Sequence, residues 1–186
     1  MSVAHDRQSQ HVPGTILAAL CRTSGPVGAF HWLVYLCPNT EKGVIFHASR
    51  PVDGDRDSDQ WRFFTSEWDP FTSQSCLTLA LIGRVDNFDP GHPSRSVDAM
   101  RECLQAIPMV IPPQDTGREL MFTCRVWFRE ALRRLNAHEA FSMIMGPEEM
   151  MESLRNRTIA VQYMNPGKQA LPVFLQLRPR SAYRTM

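Results

Sequence analysis

Three residues in this chain have types and settings suited to nucleophilic chemistry: His31, His47 and Cys124. His31 lies in AFHWLVYL, His47 in GVIFHAS, and Cys124 in MFTCRVWFREALRRLN. A thiol becomes a useful nucleophile when an imidazole takes its proton and a further group orients that imidazole. The first two segments are rich in aromatic and β-branched residues and bracket PNTEKG, so they predict a strand, a turn and a returning strand. Side chains alternate along a strand, so His31, Leu33, Tyr35 and Cys37 share one face. A hairpin turning about Asn39 would set His31 and His47 opposite each other, whereas a slip of one residue would separate them.

The third segment predicts a helix. Cys124, Trp127, Phe128, Ala131 and Leu135 fall at i, i+3, i+4, i+7 and i+11, forming an apolar stripe that should face the sheet. Two starts compete. Thr116-x-x-Glu119 fits a capping box and would leave Cys124 inside the helix. Thr123 as cap would place Cys124 in the first turn, where the positive end of the helix dipole and free N–H groups favour a thiolate and an oxyanion. The local code leans to the first and the chemistry to the second. Arg125, Arg129, Arg133 and Arg134 are expected on a solvated face, or as a site for an anionic ligand.

These segments resemble the circularly permuted papain-like superfamily, in the branch of lecithin:retinol acyltransferase. That branch has a strand of the type H-W-x-x-Y-x, a second strand V-x-H-x-x, and a helix opened by cysteine in N-C-E-H-F-V. The counterparts are His31–Leu36, Val44–Ser49 and Thr123–Phe128, with Thr123 in place of the Asn and Arg125-Val126 in place of Glu-His. The resemblance implies Cys124 as nucleophile, His31 as its base and His47 as the residue orienting His31. It implies a hydrolase or acyltransferase, needing no cofactor, that acts on a small-molecule, lipid or peptide amide, ester or thioester. A non-catalytic binding module on the same fold, and a cyclase or isomerase using the pair as acid and base, are the alternatives.

The bulk properties narrow the classes. The 186 residues are 43% hydrophobic and 21% charged with net charge +1, as in a single globular domain without a general affinity for nucleic acid. No run reaches the roughly 18 apolar residues of a membrane span. Five scattered cysteines without a C-x-x-C pair argue against a disulfide scaffold and a zinc site, and favour a reducing, cytoplasmic setting. Cys21, Cys37, Cys76 and Cys103 read as core.

The expected fold is α+β, an antiparallel sheet of four to six strands packed on two or three helices. Residues 1–13 are expected as a flexible tail, 14–165 as the domain and 166–186 as an irregular extension. Within the domain the patterns give a strand or a short helix at 15–23, and strands at 61–68 and 77–85. They give helices at 96–106, with Ser94 or Ser96 as N-cap, and at 147–156. The helix of the Cys124 segment should end near Leu135 with Asn136 as its cap. The patterns also give a loop at 107–114, bordering the entrance, and a last strand in TIAVQYM.

Overall fold

The computed structural model describes residues 12–40, 42–50, 60–165 and 171–178. Its described part is α+β. Strands β1 (Thr15–Arg22), β2 (Phe30–Leu36), β3 (Gly43–Ser49), β4 (Arg62–Trp68) and β5 (Cys76–Val85) come first in the chain. They are followed by α1 (Pro93–Gln105), α2 (Cys124–Ala137), β6 (Phe141–Met143), α3 (Pro147–Met164) and β7 (Val173–Leu175). The sheet runs β4-β3-β2-β1-β5-β6, and β7 pairs with β5. All neighbours are antiparallel except β5 and β7. The sheet therefore has seven strands, one more than the four to six expected.

The two faces differ in what covers them. Even-numbered residues of β1, β2 and β3, among them Ile16, Trp32, Val34 and Phe46, form one core with buried residues of all three helices. Alternation sends the odd-numbered residues Leu17, Cys21, Leu33, Tyr35 and Ile45 to the other face, where they make a smaller core with Cys76 and Leu79. The β2–β3 hairpin pairs Val34 with Phe46, Tyr35 with Ile45 and Leu36 with Val44, so it turns about residue 40 rather than Asn39. Gly43 fixes this packing: a Cβ there would fall 2.1 Å from the Tyr35 ring.

Several boundaries depart from the sequence patterns. TIAVQYM is the second half of α3, not a strand. Its β-branched residues suggested a strand, but Leu154, Thr158 and Val161 recur at helical spacing and are all buried. Helix α1 starts at Pro93, with His92 rather than Ser94 or Ser96 at the cap. Helix α2 ends with His138, not Asn136, as its C-cap. In the expected irregular extension, Val173–Leu175 forms β7. The tail at 1–11, the segments 166–170 and 179–186, and most of the charged loop at 50–60 lie outside the described residues.

Candidate functional site

Helix α2 starts at Cys124, and Thr123 caps it: its Oγ1 accepts the Val126 amide at 3.3 Å, and its backbone is extended. The capping box at Thr116 is not used. Gly117 has φ +93, a left-handed conformation that breaks any helix there, and Pro113–Asp115 is a single 3-10 turn. The acidic residues of that segment serve other partners. Asp115 is fully buried and accepts from Arg129 and Arg133, and Glu119 accepts from Arg125 and Arg129. Arg118 and Arg133 join Glu148 at the start of α3. Arg129 is 6% exposed, so the expectation of a solvated arginine face fails for it. The recurrence of arginine at 125, 129 and 133 marks one stripe, and two carboxylates just upstream were the signal that it would be neutralised.

The start of α2 meets β2 where β2 and β3 part. The Cys37 amide donates to Thr15 on β1. Backbone groups of Phe30 and Trp32 therefore turn the other way, towards β3. The β2–β3 ladder stops at Val34, so at Phe30 and Trp32 that edge is open, and Cys124 fills it. Its Sγ donates to the Phe30 carbonyl at 3.7 Å. The nearby backbone amides of Trp32, Arg125 and Cys124 itself favour a thiolate. Burial outweighs them, and the thiol is held above its ordinary value.

The histidines form a pair beside this fork. His31 Nε2 lies 2.9 Å from His47 Nδ1, with the rings perpendicular, and His47 stacks on Phe64. The offset of the turn from Asn39 moves His47 two residues along its strand relative to the expected pairing. An even displacement keeps both side chains on one face. Burial lowers His31, and burial together with the nearby His31 charge takes His47 down to about 4. Both are neutral at pH 7.

The structure thus joins His31 to His47 and brings Cys124 onto the backbone on either side of His31. It does not close a hydrogen bond between Cys124 and His31. Alternation aims the imidazole towards the face opposite α2, while the thiol sits on the strand edge. With Nε2 occupied, His31 Nδ1 has no hydrogen-bond partner among the described residues. Trp32 and Arg125, the residues following His31 and Cys124, line a cleft of about 600 Å³ together with Arg118, Glu148, Met151 and Arg155. The cleft carries both signs of charge, and no residue of the 107–114 loop, expected at an entrance, lines it.

No described helix is long and apolar enough to cross a membrane. No curated protein and no solved structure matches the chain. Residues 18–142, well over half of the chain and including His31, His47, Asp115 and Cys124, match the Family of unknown function (DUF6540), and the chain belongs to that family.

Proposed function

We propose that the β2–β3 fork is a thiol-dependent acyl-transfer site, with Cys124 as nucleophile, His31 as general base and His47 as the group that orients His31. The supporting observation is the docking of a helix-opening cysteine on the β2 backbone at Phe30 and Trp32, the two neighbours of His31, whose Nε2 is engaged by His47. The general-base role uses the tautomer in which His31 Nε2–H is the donor to His47 Nδ1, which leaves the His31 Nδ1 lone pair for a proton. Attack requires the thiol to rotate from the Phe30 carbonyl towards Nδ1. Sulfur then bonds the substrate carbonyl carbon as Nδ1 takes the proton. The carbonyl electrons move to oxygen, where the Cys124, Arg125 and Trp32 amides are the donors at hand. Collapse expels the leaving group with the proton from Nδ1, and water or a second nucleophile releases the acyl group.

Because thiol and imidazole are both shifted towards their neutral forms, the resting pair is thiol and imidazole rather than an ion pair. The mixed-charge cleft lined by Trp32 and Arg125, the residues after His31 and Cys124, suits a polar amide, ester or thioester. The resemblance to permuted papain-like enzymes agrees with this assignment of roles. Incubation with p-nitrophenyl acetate, followed by intact-mass and peptide analysis, tests it. An acetyl group on Cys124, absent in Cys124→Ser and strongly reduced in His31→Ala, is expected. A protein that never carries acetyl on Cys124 overturns the proposal.

A second reading, a binding module without chemistry, draws on one observation: the thiol is engaged by Phe30 and shares no hydrogen bond with His31. On that reading the cleft binds ligand and the cysteine only packs.

A further inference from the structure

On the face of the sheet away from the helices, Cys21 on β1 has Cys76 on β5 as its cross-strand partner. The two are neighbours across a break in register: Leu20 pairs with Thr78, and Leu77 is the extra residue. The Arg22 amide donates to the Ser75 carbonyl, so Cys21 turns its own backbone groups to β2, and Cys21–Cys76 is a non-hydrogen-bonded pair. Such pairs hold their Cα atoms about 4.5 Å apart with side chains close. A disulfide needs Cα atoms roughly 4.4–6.8 Å apart. Both thiols are free, and the Cys76 thiol donates to the Thr78 carbonyl at 3.8 Å.

We infer that Cys21 and Cys76 form an oxidisable dithiol that a peroxide closes into a disulfide. The remaining cysteines show no such partner: Cys37 lies by Thr15, Cys103 near Arg134, and Cys124 on the β2 backbone. Cys21 is the attacking sulfur. The Cys76 proton is engaged by the Thr78 carbonyl at 3.8 Å, which keeps that sulfur a thiol, whereas the neighbouring Cys76 and Ser75 favour the ionised form of Cys21. The Cys21 thiolate attacks one peroxide oxygen, the O–O bond breaks, and hydroxide leaves. This gives a sulfenic acid on Cys21. Cys76 then displaces the hydroxyl group, forming the S–S bond. The sulfurs lose two electrons, the peroxide gains them, and the two thiol protons leave in two waters. The pair is nearly closed to solvent, at 5% and 3% exposure. Hydrogen peroxide is close to water in size, and Ser75, only partly buried, adjoins the pair at the mouth of the β4–β5 turn. The inference does not depend on the chemistry proposed for Cys124.

The full chain treated with hydrogen peroxide, quenched with catalase, unfolded, alkylated with iodoacetamide and digested with trypsin tests it. The expected product is a dithiothreitol-sensitive cross-link between the peptides ending at Arg22 and Arg84. Alkylation of Cys21 and Cys76 should be lost in equal proportion. In Cys76→Ser, Cys21 should instead be trapped by dimedone as the sulfenic acid. Wild-type protein in which Cys21 and Cys76 stay alkylatable while half-buried Cys103 oxidises overturns the inference. A cross-link from either residue to another cysteine does so too.

Discussion

His47 carries the largest acid sensitivity of the site. Its folded-state value of about 4 lies below the ordinary 6.5, and His31 is lowered with it. The unfolded chain therefore binds more protons than the folded one in this range. Stability is fully present above about pH 6.5 and falls as the pH drops from there towards 4. For His47 alone the loss is on the order of 2–3 kcal/mol at the acid end. Urea unfolding followed between pH 7 and pH 4 should show this fall, and His47→Phe should flatten it. Asp115 acts in a separate, lower window. Arg133 holds its carboxylate below the usual value, so its contribution is lost only as the pH falls through and below about 3.8. The pairing of His31 with His47 was legible only up to the parity of the register: the observed offset of two residues keeps both on one face, whereas an offset of one would have separated them. The exact register was not, because PNTEKG does not say which residue the hairpin turns about, and the fit of Tyr35 over Gly43 decides it.

At the scale of elements, two features hold Cys124 at the start of α2. One is the Thr123 cap. Thr123→Ala should cost about 1 kcal/mol in unfolding experiments. The other is the cluster of Asp115 and Glu119 with Arg125, Arg129 and Arg133. Asp115→Ala leaves Arg129 and Arg133 without their buried carboxylate and should cost roughly 3–5 kcal/mol, measured by urea denaturation. A loss under 1 kcal/mol would mean that water replaces the carboxylate. The stripe of Cys124, Trp127 and Phe128 was legible from its helical period. The helix start was not: Thr116-x-x-Glu119 satisfies the local capping pattern, but Glu119 is drawn to Arg129, ten residues later. The second half of α3 was misread for a related reason. Its β-branched composition suits a strand, and only packing against β5, as in the Thr78–Thr158 hydrogen bond, shows that it continues the helix.

At the scale of the whole molecule, the sheet separates two kinds of sulfur. Cys124 lies with the helices, while Cys21 and Cys76 lie in the smaller core opposite. The site proposed here sits at the edge between the two faces, where β2 and β3 part. The α+β class and most strands could be read from the sequence. The course of the chain after residue 137 was harder: β6 and β7 are three residues each, too short to show a period, and both form by adding to the edge of β5. The most direct measurement of the central claim is the pH dependence of Cys124 acylation by an activated ester, in wild type and in His31→Ala. If neutral His31 removes the thiol proton, the rate should rise through a midpoint below 6.5 and then level, since burial lowers that histidine. His31→Ala should abolish this limb and reduce the rate by about 10²–10⁴-fold. A rate that climbs only at the alkaline pH where the buried thiol itself ionises, and is the same in His31→Ala, would contradict the claim and leave Cys124 a core residue.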